Sequence, residues 1–340
     1  MAVGDEAQVG IRSYAALARE TTLGTYLSAT SAVVFQSCSF RTTFETMKLD
    51  QIGTGQRGYA RRVQMGKNVG GTFEQYVHPQ ESVLLIASAL QGALVSNSLT
   101  AAADHSIASG NLNTTTAVMG LSFNVRKGDT LTFRYLGGRV NQMRMSAEIG
   151  QPVKVSYDMV FIDSTQQADD IASILSVSSV LPLTYVDGAY RYSSTEALAA
   201  TTTAAERIQG FELVINNNIK SDKDARELGR TTPRVLPAGR REVEFKIFQR
   251  WDTTTTFNRM VQATAGAVEL FFDGQSMTAE YTYRMTVRMP NVRYNEADPA
   301  IGRPDEVLSM EIPMDVLIDS PGTSTGREIG FTIRNNQVSY

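Results

Sequence analysis

The residues best placed to do chemistry are a glycine run, Gly53-Thr54-Gly55-Gln56-Arg57-Gly58, which spells GxGxxG. That spacing cradles a pyrophosphate only when a buried parallel strand precedes it and a helix opens on its last glycine. Here an amphipathic stretch, SFRTTFETMKLD, comes before, and YARRVQMGKNVGG, which has no helical period, follows. The glycines therefore read as a flexible hairpin tip. Gly66-Lys67 ends like a P-loop, but Asn68 stands where a magnesium-binding Ser or Thr is required. His78 and His105 lie far apart with only Cys38 as a soft companion, so no zinc site is expected. No GxSxG elbow occurs. Asn113-Thr114-Thr115 fits a glycosylation acceptor, but with no secretion signal in view it reads as a polar loop. No catalytic residue, cofactor or metal is expected, and the chain does not read as an enzyme.

A second group of residues points to binding. Arg57, Arg61 and Arg62 surround Tyr59, a basic, aromatic patch of the kind that stacks on nucleic acid. Arg and Tyr are also the residues enriched in protein interfaces, and that reading is preferred. Arg226, Arg230 and Arg234 recur in the charged stretch SDKDARELGRTTPRVLPAG. These seven residues are the predicted contacts between subunits or rings. Trp251, the single tryptophan, is expected to anchor a core or an interface.

The elements that must position them are mostly strands. Val33 to Phe40, Phe44 to Leu49 and Val69 to Val77 carry the period-two signal, and Gln51 to Met65 between the last two reads as a long exposed hairpin loop. Glu81 to Gly92 is a buried helix stopped by its glycine. Ala93 to Val118, rich in Ala, Ser, Thr and Asn, reads as a surface insertion or mobile loop. Leu121 to Tyr135 predicts two strands joined at Lys127-Gly128-Asp129, with two more at Gly137 to Met145 and Val153 to Ile162. Ile171 to Val180 reads as helix or strand, and YVDGAYRY holds a hairpin-type turn at Asp187-Gly188. Strands are expected again at Phe211 to Asn216, Val243 to Gln249, Ala267 to Phe272, Ala279 to Arg288, Val292 to Asn295 and Val307 to Ile318, with a helix at about Thr253 to Ala265. Near the N-terminus, Ile11 to Ala18 reads either as a short helix or as an arm that orders against a partner.

The chain also resembles itself. GKNVGGTFEQYVHPQESVLLIASALQG (Gly66 to Gly92) and GRREVEFKIFQRWDTTTTFNRMVQATAG (Gly239 to Gly266) each read glycine, alternating strand, polar break, helix, glycine. Met47 to Asp50 matches Ile219 to Asp222, Phe73 matches Phe245, and the run from Ile149 to Asp163 matches that from Ile301 to Asp319. The expected organisation is an arm at residues 1–32, a first β unit at 33–163 with an insertion at 93–118, a connector at 164–206, a second unit at 207–320 and a terminal segment at 321–340.

Bulk numbers narrow the function. A chain of 340 residues has room for two ordinary cores. Its 32 basic and 35 acidic residues leave a net charge of -3, unlike the strongly basic balance of a nucleic-acid binder. One cysteine precludes an internal disulfide and suits a reducing cytoplasm. No run of apolar residues is long enough for a membrane helix.

Several segments together resemble the tail tube (major tail) proteins of long-tailed bacteriophages. They are ARETTLGTY (Ala18 to Tyr26), SFRTTFETMKLD, RRVQMGKNVGGTFEQYVHPQES, Gly138 to Met143 and FELVINNNI. The resemblance implies a mainly β fold, with duplicated sandwich or barrel units each flanked by a helix and joined edge to edge into stacked rings. It implies a virion component, assembled in the host cytoplasm, whose partners are its own copies, a tape measure protein and tail tip or terminator proteins. Double-stranded DNA is a partner only in transit, and no membrane is involved. Two units per chain suggest rings of three chains; rings of six are the rival. A monomeric sandwich that binds carbohydrate or protein, or a nucleotide-binding enzyme using the glycine run, are the readings from other classes.

Overall fold

Alternation of apolar and polar residues sets the architecture. A computed structural model of the protein describes residues 13–49, 59, 61–110, 120–128, 131–167, 178–193, 208–251, 254–263, 265–297, 308–319, 326–338 and 340. Along the first part lie strands β1 (Tyr14–Glu20), β2 (Ser31–Val33), β3 (Ser37–Cys38), β4 (Arg41–Leu49) and β5 (Arg61–Tyr76), then helix α1 (Val83–Leu90). The hairpin of β6 (Leu94–Ser98) and β7 (Ala103–Ala108) follows, then β8 (Gly120–Lys127), β9 (Leu131–Glu148), β10 (Lys154–Phe161) and β11 (Asp163–Gln167). The rest comprises β12 (Gly188–Ser193), β13 (Ile208–Asn216), β14 (Glu242–Arg250), α2 (Thr255–Val261), β15 (Gly266–Ser276), β16 (Thr282–Tyr294), β17 (Ser309–Leu317) and β18 (Gly330–Asn335). The fold is mainly β and antiparallel, as the alternation predicts.

One sheet runs through the whole chain. β4, β5, β10, the C-terminal half of β9, β13, β14, β17 and the end of β16 pair in that order and form a continuous wall. Smaller sheets cover its apolar side: β2, β1, β8, β9 and β11 over one end, and β12, β15, β16, β18, β7 and β6 over the other. The two ends repeat one pairing order. β4–β5–β10–β9–β8 in the first corresponds to β13–β14–β17–β16–β15 in the second, and a helix follows β5 and β14 alike.

Between wall and cover lies the core. Phe40, Phe73, Phe123, Tyr135 and Phe161 pack together at one end, Phe40 edge to face with Phe161 at 4.8 Å and with Phe123 at 5.4 Å between ring centres. Such rings add specific contact to a large buried area. Phe211 links Phe245 and Phe272 at the other end. Every residue of α1 is buried, so its crowded apolar sequence needs no polar face.

The helix stops for a different reason from the one the sequence gives. Gln91, not Gly92, takes the left-handed conformation, with φ 50°. Gly92 is needed for space: a Cβ there would lie 1.7 Å from the Ala108 carbonyl oxygen. Neither backbone can rotate away, so Gly92→Ala is expected to cost about 2 kcal/mol, read as a lower urea midpoint with unchanged slope.

Several expected elements are corrected. The stretch from Gln51 to Met65 is not all loop, since β5 begins at Arg61 and pairs with β4 out to Leu49. Polar alternating residues there form a two-stranded arm that buries little. Tyr14–Glu20 is a strand bonded to β8 rather than a helix or free arm. Part of the proposed mobile insertion is the β6–β7 hairpin, held by β18, which lies in the presumed terminal segment. β9 is one strand where two are expected: Gly137, at φ 63°, lets it bend from cover to wall. β16 is likewise continuous, crossing between sheets at Pro290, where no ladder N–H is needed. Asp187-Gly188 is no hairpin tip; Tyr185–Asp187 is a 3-10 turn, closed by Asp187 accepting the Thr184 N–H at 2.8 Å. The second helix is shorter than its sequence suggests.

Candidate assembly surfaces

The wall has two chemically distinct faces because side chains alternate across a strand. Phe73, Tyr157, Met145, Leu213, Phe245 and Ile312 point into the core. The opposite face carries Glu74, Asp158, Glu148, Glu212, Glu242, Glu244, Glu311 and Asp315 against Arg144, Lys154, Lys246, Arg250 and Arg293. Acidic groups prevail, and two of the cations are paired across strands: Arg144 with Glu212 at 3.3 Å and Lys246 with Glu311 at 2.9 Å. At the wall's ends, β4 pairs only with β5, and Arg293 and Tyr294 of β16 pair only with β17, among the described residues.

The β4–β5 arm projects from the first of these ends. Phe44, Met47, Val63 and Met65 are exposed on it, as are Arg61 and Arg62. Tyr59 is 65% exposed, with the Lys48 ammonium 5.5 Å from its ring centre. The predicted interface residues Tyr59, Arg61 and Arg62 thus lie exposed on or beside the arm, with Arg61 and Arg62 on opposite faces of β5; Arg57 and the rest of the GxGxxG run lie outside the described residues.

The other arginine cluster divides. Arg226 is used within the chain, donating to Glu45 at 2.7 and 3.0 Å and to Asn68. The Lys67 amide donates to the Thr231 carbonyl at 2.8 Å, so the 219–239 segment lies on the base of the arm. Arg234 pairs with Glu227 at 3.1 Å, where both are exposed, and Arg230 closes the turn after Glu227. The Arg226 hydrogen bond, then that of Asn68, holds the Glu45 carboxyl below the usual carboxylate range. A depressed carboxylate pKa contributes stability that is complete above the unfolded value, about 4.3 for Glu, and is lost as pH falls through the folded value. Acidification is expected to loosen this clasp first, read as faster amide exchange in residues 223–238 below about pH 4.

A buried joint between the two ends escapes sequence reading. Asn217 donates to the Ala89 and Val140 carbonyls at 2.8 and 2.9 Å. Arg241 donates to Leu90 O at 2.8 Å and to Asn217 Oδ1 at 3.1 Å, and pairs with Glu328 at 3.2 Å. Together they satisfy carbonyls that a helix C-terminus leaves without intrahelical partners. The only sequence hint is the polar run NNNIK after a clean strand.

The chemical motifs have structural uses. Lys67 sits in mid-strand and binds Asp163 and Ser164 O, each at 2.5 Å. His105 is fully buried; its Nε2 faces the Asn335 and Gln337 oxygens at 3.0 and 2.9 Å, so that nitrogen carries the proton and Nδ1 accepts from Ser96 at 2.8 Å. His78 meets the Val180 carbonyl at 3.1 Å. Burial pushes the Cys38 thiol up, the reverse of what a nucleophile needs. Trp251 packs half-buried against the core. Asn113-Thr114-Thr115 lies outside the described residues. Among the described residues no three His, Cys, Asp or Glu side chains group to hold a metal, and no helix is long and apolar enough to cross a membrane.

The family model described as "Phage tail tube protein" matches residues 10–329. No curated protein matches the chain. With a β wall of one apolar and one polar face, and a match over nearly its whole length, the chain belongs to the phage tail tube protein family.

Proposed function

We propose that copies of this chain join edge to edge into rings, that the rings stack into the tail tube of a long-tailed phage, and that the polar face of the wall lines the channel for DNA. The observation that carries this is the wall itself, an eight-strand sheet with a core on one side, an acidic polar face on the other and an open strand edge at each end. Joining β4 of one copy to β16 of the next would remove both edges, which otherwise invite uncontrolled pairing. A predominantly acidic lining binds phosphates poorly, which suits a polyanion that must slide.

The repeated pairing order supports a duplicated unit and a ring of three chains. At about 4.8 Å per strand, three walls give a ring about 37 Å across before tilt, leaving about 27 Å between side chains. Six walls would give about 73 Å, much wider than one duplex needs. The β9–β13 pairing inside the chain then stands for the contact between chains. The repeat also moves the proposed unit boundaries outward, to take in β1 and β11 in the first unit and β12 and β18 in the second. Stacking of rings is assigned to the arm residues Arg57, Tyr59, Arg61 and Arg62 and to the exposed Arg230 and Arg234, while Arg226 stabilises the chain itself. Tape measure and terminator proteins would meet the tube at its lumen and ends, in a virion assembled in the host cytoplasm. Cryo-electron microscopy of assembled tubes tests the reading: three copies per ring are expected, six would sink the trimer, and a chain that stays monomeric when concentrated would sink the tube.

A further inference from the structure

The cover over the second end buries one face and turns the other away from the wall. On β16 and β18, Met285, Val287, Phe331 and Ile333 point into the core, so Arg284, Thr286, Arg288, Gly330, Thr332 and Arg334 stand on the outer side. A groove of about 430 Å³ runs along these strands and reaches β7 and β6. Its floor is made of small residues, because the register sets Gly330 between Arg288 and Ala108, and Thr332 between Thr286 and Ser106.

The charge of the groove is one-sided. Arg284, Arg288, Arg327 and Arg334 line it against two carboxylates, Asp104 and Glu269. Arg334 donates to Asp104 at 2.7 and 2.9 Å. Glu269 lies opposite Arg288 in register but is also held by Arg191, outside the groove, at 2.9 Å. Arg284 is fixed by Asp273 at 3.1 Å and by the face of Phe271, 4.6 Å away. Arg288 and Arg327 are exposed. Arg284 and Arg334, opposite each other in register, mark one end of the groove. Arg288, four residues on along β16 or about 13 Å, marks the other. All four cations are arginines, whose planar fork grips a carboxylate with two parallel bonds.

We propose that this groove takes an extended acidic segment of another protein, on the side of the body away from the polar face of the wall. In an extended chain, residues i and i+4 share a face and lie about 13 Å apart, which matches the spacing of the two cationic ends. The residue at i+2 then stands over Thr286, Thr332 and Ser106. Val95, opposite Ser106 in register and 52% exposed, offers an aliphatic contact at the far margin. A phosphate polymer has the charge for the arginines but nothing to set against Val95. In the tube reading such a partner attaches from outside, and the groove itself is complete within one chain.

Fluorescence anisotropy with a labelled peptide carrying Glu at every fourth position and Val midway between tests this. The unchanged chain is expected to bind it, and Arg288→Glu with Arg327→Glu to weaken binding about tenfold. Arg19→Glu with Lys220→Glu makes the same change in net charge at exposed positions elsewhere and is expected to leave binding unchanged. A photoreactive form of the peptide is expected to label residues 93–95, 104–108, 284–288 or 330–334 of the unchanged chain, which reads the groove even where a charge variant folds poorly. No binding by the unchanged chain, an equal loss in both variants, or labels on the wall overturns the proposal. Polyphosphate that binds more tightly than the peptide, with the same loss in the Arg288→Glu and Arg327→Glu variant, overturns it in favour of a phosphate polymer.

Discussion

Phe40→Ala is expected to lower stability by about 4 kcal/mol. Phe40 is 1% exposed and touches four other rings, with centroid distances from 4.8 to 5.9 Å. Phe73 and Phe161 belong to the wall, and Phe123 and Tyr135 to the cover, so the cavity would open where the two layers meet. Its backbone carbonyl also accepts from Tyr135 at 3.2 Å and Lys127 at 2.5 Å, which fixes the main chain and limits collapse into the void. A site that cannot relax sits at the upper end of the cost range. Differential scanning calorimetry is expected to show a midpoint lower by about 6 °C. A shift of only a degree or two would mean that the ring cluster is not the keystone of this end.

Arg241→Ala is expected to cost about 3 kcal/mol and to loosen the joint between the two ends. The guanidinium is mostly buried and serves Glu328, Asn217 and the Leu90 carbonyl at once. Leu90 keeps the Gly110 amide at 2.9 Å, so the helix terminus is not fully orphaned. Glu328, with a side chain 20% exposed, loses its cation. Most of the loss should therefore come from the stranded carboxylate, and Glu328→Gln in the Arg241→Ala background should recover part of it. Hydrogen exchange should speed together in the last turn of α1 and around Asn217. Exchange that rises in only one of the two places would show that Arg241 braces one element rather than joining both.

Legibility in the sequence followed local chemistry. β10, β13 and β14 alternate cleanly, as in Phe211 to Ile215, because one face is core and the other polar. α1 was legible from its apolar run. β1 was not: AALA has weak strand propensity, and its place between β2 and β8, the latter more than a hundred residues away, makes it a strand. β6 and β7 look like loop for the same reason, since their Ser, Asn and Ala content says nothing of β18. Gly137 and Pro290 mimic strand ends, yet each marks the place where a single strand passes between layers. Composition picks out the arm arginines as candidates, and Arg61 and Arg62 are exposed. Arg226 belonged to the same pattern but is used internally, a distinction that depends on Glu45, 181 residues away in sequence.

The pairing of β7 with β18 has a consequence for how the protein is made. His105 meets Asn335 across 230 residues, so one edge of the β6–β7 hairpin has its partner only after about that many further residues have been made. At about 5–20 residues per second, that is a wait of roughly 10–45 s. A shortened product lacking β18 could form the first half's wall but would carry an unmatched strand. A polypeptide stopped before β18 thus cannot close its own body, and the free edge of β7 should mark it out, read as faster proteolysis of a product truncated before Gly330 than of the unchanged chain.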